Sequence, residues 1–148
     1  MPRAATASAS SEPAAPEPAK LEAALLAGTR VLLVDDNAEV RETTRALLES
    51  AGLQVVESAG AAEGLAAAGL GSIDVIVTDV VMPETSGPEM VAEIERRHGA
   101  LPVVFLSGYA ESAVGIPSGA ALLLKPFSAD QLFAKVSQVL RSRRDAGS

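Results

Sequence analysis

From Val31 onward, apolar residues fall in short unbroken runs, and each run is followed by a stretch with helical spacing. Val31–Val34 reads as a strand. Asn37 can cap a helix with Val40, Thr44, Leu47 and Leu48 on one face, and Gly52 stops it. Residues 54–57 form a second strand, and 61–68 an alanine-rich helix between Gly60 and Gly69. Residues 74–78 form a third strand, and Ser86-Gly87-Pro88 opens a helix with Met90, Val91 and Ile94 inward. Residues 102–106 and 121–124 are the fourth and fifth strands. Between these last two, residues 110–120 are irregular, with Gly115, Pro117 and Gly119. Ser128 with Gln131 makes a capping box for a final helix, whose buried stripe is Leu132, Phe133, Val136, Val139 and Leu140.

The strand runs are apolar without alternation, as expected of strands covered on both faces. Strand and helix alternate throughout, so the pattern predicts an α/β fold: a doubly wound, five-stranded parallel sheet with helices on both sides. Residues 1–28 stand apart as a disordered tail or linker. Pro2, Pro13, Pro16 and Pro18 break helices there, and nothing before Lys20 could fill a core. Lys20 to Ala27 fits a short linker helix ending at Gly28; the sharper alternative is the remnant of a connector to an upstream domain. Residues 29–141 are the expected domain, and 142–148 a frayed polar tail.

Doubly wound sheets place their ligand site beyond the C-terminal ends of the strands. Asp35, Asp36, Asp79, Ser107 and Lys125 all fall at such ends. Three carboxylates in one pocket repel: like charges about 4 Å apart cost on the order of 4 kcal/mol at an effective dielectric of 20. Such a cluster must be protonated, paired with lysine, or bound to a cation. Mg²⁺ is the natural ion, since it prefers carboxylate and carbonyl oxygen. The chain has no cysteine, which excludes disulfides and zinc–thiolate sites, and its single histidine, His98, reads as a solvated helix end beside Arg96 and Arg97.

Composition narrows the function further. The 148 residues carry a net charge of -7, which disfavours nucleic acid as a direct ligand and suits a cation or a basic partner. Hydrophobic residues are 48% and aromatics only 3%, so the core must be built from Val, Leu, Ile and Ala. No apolar run approaches the about 18 residues of a membrane helix, and the N-terminus lacks the pattern of a signal peptide. No membrane insertion is expected, and the cytoplasm is the default location. An aspartate, a divalent cation, a lysine and the Ser107 hydroxyl together suit phosphoryl chemistry, in which an aspartate can serve as nucleophile and give an acyl phosphate. Gly108 would let the backbone come close to a ligand. The bland alternative is that the acids merely cap loops and helices.

Four motifs then carry a resemblance. Val-Asp-Asp-Asn at 34–37, Asp-Val-Val-Met-Pro at 79–83 with Gly87, Leu-Ser-Gly-Tyr at 106–109 and Lys-Pro-Phe at 125–127 resemble response regulator receiver domains, with wording closest to receivers of hybrid kinases. The resemblance covers residues 29–141 and implies a flavodoxin-like strand order 2-1-3-4-5. It implies that Asp79 accepts a phosphoryl group from a sensor histidine kinase, a histidine phosphotransfer protein or a small phosphodonor. Asp36 would hold Mg²⁺ directly and Asp35 directly or through water, with Asp79 and the backbone carbonyl of Val81 completing the protein ligands. Ser107 would bond the phosphoryl group and move with it, and Lys125 would pair with a phosphoryl oxygen. The Lys125–Pro126 bond would be cis.

Two departures accompany the resemblance. The segment between Ser107 and Lys125 is shorter than usual by roughly one helical turn, so a shortened or irregular fourth helix is expected. Leu122 stands where a mobile aromatic is common, leaving Tyr109 as the candidate switch aromatic. Val81, two residues after Asp79, is apolar and would position no water. The reading is a phosphorylation-dependent signalling switch rather than an enzyme, a monomer or weak dimer. Arg141, Arg143 and Arg144 are too few to form a DNA-binding domain, so output is expected through a partner or phosphorelay. The alternatives are a Mg²⁺-dependent phosphatase with an aspartyl intermediate, and a pseudo-receiver that binds partners without phosphorylation.

Overall fold

The computed structural model describes residues 28–83, 85–108 and 120–147, with side chains to residue 141. The N-terminal tail, the Lys20–Ala27 helix, the shortened fourth helix and Tyr109 lie outside the described residues.

The elements are β1 (Arg30–Val34), α1 (Ala38–Ser50), β2 (Gln54–Ser58), α2 (Ala61–Gly69), β3 (Val75–Asp79), α3 (Gly87–His98), β4 (Val103–Ser107), β5 (Ala121–Leu124) and α4 (Ala129–Gly147). All strand pairs are parallel, in the order β2-β1-β3-β4-β5. This is the 2-1-3-4-5 order expected.

Successive side chains of a strand point to opposite faces. Val31 and Leu33 of β1 therefore join Val75, Val77, Val104 and Leu106 in one core layer, under Leu48 of α1 and Leu132, Phe133 and Val136 of α4. Leu32 and Val34 join Ile76 and Phe105 in the other, under Met90, Val91 and Ile94 of α3 and Ala61 and Ala68 of α2. Both faces are buried, which is why these strands lack polar alternation. Phe105, at the middle of β4, is fully buried.

Helix ends follow local chemistry. The Asn37 side chain accepts from the Val40 N–H at 3.1 Å and caps α1. Ser128 and Gln131 exchange bonds at 2.9 and 3.1 Å and open α4. Ser86 and Glu89 make a second capping box for α3, with Pro88 in its first turn. The Ser-x-x-Glu spacing could have announced it. His98 is exposed at the end of α3.

Several boundaries differ from expectation, most by a single residue. β3 and β4 each sit one residue later than their pattern suggested. Pro102 has no N–H for the ladder, and only its carbonyl pairs, accepting from Ile76 at 2.9 Å. The ladder therefore reaches Asp79, which pairs with Leu106, and Ser107, which pairs with Leu124. α4 continues to Gly147, through the stretch expected to be a frayed tail. No helix breaker intervenes between Arg141 and Gly147.

Candidate functional site

The C-terminal ends of β1, β3, β4 and β5 meet at one edge of the sheet. Asp35 directly follows β1, Asp79 closes β3, Ser107 closes β4, and Lys125 directly follows β5. The rigid ladder beneath them fixes where each side chain starts.

Carboxylate oxygens of Asp35, Asp36 and Asp79 all lie within 4.8 Å of one another. Asp35 is fully buried, Asp79 is partly buried and Asp36 is exposed. Lys125 Nζ sits 3.5 Å from Asp35 Oδ2 and 3.6 Å from Asp79 Oδ2, so one cation serves two of the acids. Burial pushes the Asp79 carboxyl above the usual aspartate range; Lys125 pulls it down, and the charges of Asp35 and Asp36 push it up again. Among the described residues, three acids thus share one lysine in the pocket. A hard divalent cation fits this donor set, because it consists of oxygen alone.

The other expected residues fall as follows. Ser107 is buried at the end of β4, one residue past the register partner of Asp79, and its carbonyl accepts from the Lys125 N–H at 2.7 Å. Gly108 is exposed, and among the described residues nothing lies within 4 Å of where a Cβ would stand. The Val81 side chain is 64% exposed two residues beyond Asp79. The Lys125–Pro126 bond is cis. Leu122 is partly buried against the core layer of α2 and α3.

The fold also recruits a residue that sequence reasoning missed. Arg41 Nη1 donates to the main-chain carbonyl of Asp35 at 2.7 Å, while its Nε donates to Glu57 at 3.1 Å. The only sequence signal was its place in the first turns of α1, next to the acidic pair. Gly87 has a packing role too. A Cβ there would lie 2.1 Å from the Asp79 carbonyl oxygen, so α3 can begin directly behind Asp79 only with glycine at that position.

Comparison with known proteins decides the family. The family model for the response regulator receiver domain matches residues 31–137. The chain belongs to the response regulator receiver family. Among curated proteins, this receiver is 37% identical over 139 residues to the sensor kinase CckA of Brucella abortus, covering 88% of this chain and 15% of the kinase. It is 32% identical over 117 residues to the KDP operon transcriptional regulatory protein KdpE of Escherichia coli, covering 76% of this chain and 52% of the regulator. The receiver thus spans about half or less of the length of these relatives. Among solved structures, the receiver domain of the hybrid histidine kinase CckA is 34% identical, with a TM-score of 0.65 over 75% of this chain and 98% of that one. A receiver domain protein from Clostridium thermocellum is 27% identical, with a TM-score of 0.72 over 80% of this chain and 98% of that one. Among the described residues of this receiver, no helix is long and apolar enough to cross a membrane.

Proposed function

We propose that this receiver is a phosphorylation-dependent switch in which Asp79 accepts a phosphoryl group in a Mg²⁺-dependent reaction. The observation that carries the proposal is the meeting, at one sheet edge, of three carboxylates within 4.8 Å and a lysine 3.6 Å from Asp79.

Asp36, Asp79 and the Val81 carbonyl would hold the ion, with Asp35 doing so directly or through water. When bound, Mg²⁺ supplies charge neutralisation for the phosphoryl oxygens. An Asp79 carboxylate oxygen attacks phosphorus in line. The new O–P bond forms as the bond to the donor breaks: P–N to a phosphohistidine, or P–O to acetyl phosphate with release of acetate. Burial makes the Asp79 carboxylate more basic, which favours attack once it is ionised. Lys125 already stands beside Asp79 and would turn to a phosphoryl oxygen as the negative charge moves outward. The Ser107 hydroxyl would take another oxygen, and among the described residues none crowds Gly108.

The donor is a sensor histidine kinase or a histidine phosphotransfer protein, a reading supported by the likeness to the receiver of a hybrid kinase. The chemistry stays on this chain's own aspartate, in the cytoplasm, and does not turn over a separate substrate. The phosphatase alternative is not favoured. A leaving group would need a proton donor near Asp79, and the exposed apolar Val81 offers none two residues on. The pseudo-receiver alternative leaves the grouped acids and Lys125 without a role.

The test is incubation with Mg²⁺ and acetyl phosphate followed by intact-mass spectrometry. One phosphoryl adduct is expected on wild type and none on Asp79→Ala. An unmodified wild-type mass would sink the proposal.

A further inference from the structure

Asp36 is the exposed member of the acidic group, and no described residue bonds its carboxylate. Where its side chain starts is therefore set by its backbone alone. That backbone begins at the peptide group joining Asp35 to Asp36, and the carbonyl of this peptide accepts from Arg41 Nη1 at 2.7 Å. We propose that Arg41 is a positioning residue for the pocket: its guanidinium fixes the Asp35–Asp36 peptide and so aims the Asp36 carboxylate at Mg²⁺. The inference rests on the Mg²⁺ reading above.

Arg41 completes a set of ties on Asp35. The Asp35 N–H donates to the Ser58 carbonyl at 3.2 Å. Asp35 Oδ1 accepts from the Asn37 N–H at 2.9 Å, and Oδ2 faces Lys125. Only the carbonyl remains, and Arg41 takes it. The arginine is itself held: its Nε donates to Glu57 at 3.1 Å, and its side chain is only 18% exposed. A planar guanidinium can serve two acceptors in fixed directions, whereas an ammonium on a flexible stem cannot reproduce that fork. The clamp thus links the end of β2, the first turns of α1 and the loop carrying both acids.

The competing explanation is an ordinary ion pair between α1 and β2 with no bearing on the pocket. The sign of the effect separates the two. A guanidinium near the site repels a cation, so loss of its charge alone would tighten Mg²⁺ binding. Loss of the clamp would weaken it, as removal of outer-shell partners does at metal sites.

The experiment is calorimetric titration of the full chain with MgCl₂, in wild type, Arg41→Lys, Arg41→Met and Arg45→Met. Arg45 also reaches Glu57 but has no bond to Asp35, so it is the control. Both Arg41 variants are expected to raise the Mg²⁺ Kd by on the order of 10-fold, with Arg45→Met at the wild-type value. Arg41→Lys keeps the charge, so weakening there is geometric; it also carries the test if Arg41→Met does not fold. Wild-type affinity in Arg41→Lys, tighter binding in Arg41→Met, or equal weakening in Arg45→Met would each overturn the clamp alone. A wild type that takes up no Mg²⁺ would overturn the magnesium reading and the clamp with it.

Discussion

Gly87 lies so close to Asp79 that a Cβ on it would sit 2.1 Å from the Asp79 carbonyl oxygen and 3.1 Å from the carbonyl carbon. The Gly87 N–H also donates to the Val80 carbonyl at 2.8 Å. The start of α3 is thereby pressed against the backbone of the residue proposed to carry the phosphoryl group. Gly87→Ala must push the two apart, at about 1–3 kcal/mol of stability. A lowered Tm together with slower acetyl phosphate labelling is expected. Labelling at the wild-type rate in a destabilised variant would show that Asp79 does not depend on this contact.

The raised pKa of Asp79 makes a pH prediction. Its folded carboxyl holds a proton more tightly than an unfolded one, chiefly because it is buried. Stability from this group is therefore present in acid. It is lost as pH rises through the window between the ordinary aspartate value, about 3.9, and the higher folded value. In metal-free buffer at neutral pH, Asp79→Asn should unfold at higher temperature than wild type. The gap should close as pH falls through that window, and excess Mg²⁺ should narrow it at neutral pH. Thermal melts across pH with EDTA decide this; an Asn variant less stable than wild type at neutral pH would contradict it.

Ser137 faces the core from α4 at 2% exposure, and its hydroxyl has no hydrogen-bond partner among the described residues. An unpaired buried hydroxyl costs roughly 1–3 kcal/mol, and alanine is the better helix former. Ser137→Ala should raise stability by about 1 kcal/mol, read as a higher urea midpoint with unchanged slope. A lower midpoint would reveal a partner for the hydroxyl.

Val81 is apolar and 64% exposed two residues beyond Asp79, so it can neither orient nor activate a water. The phosphoryl group on Asp79 should be long-lived, and Val81→Glu should shorten its lifetime. Decay of the phosphorylated mass after donor removal measures both. A wild-type lifetime of seconds with no phosphatase present would refute the expectation.

Much of this protein could be read before its coordinates were known. Every described strand and helix was expected, because a strand buried on both faces must be an apolar run and a helix between layers must repeat its apolar face. The acids at 35, 36 and 79 and the lysine at 125 stood out for the same reason: charge appears where a buried strand emerges. The capping box at Ser86 is equally legible, in its Ser-x-x-Glu spacing.

The distances were not legible. Lys125 and Asp35 are 90 residues apart, and their 3.5 Å approach depends on which strands adjoin and in what register. Strands without polar alternation carry no pattern that pins register, since a slip would still bury apolar residues on both faces. Arg41 on the Asp35 carbonyl and Gly87 against Asp79 depend in the same way on how α1 and α3 dock. Local periodicity thus determined which residues are buried and which emerge at the sheet edge, because it acts through the repeat of helix and strand. Tertiary packing alone decided which of the emerging groups touch, because contacts of a few ångströms are set by neighbours distant in the chain.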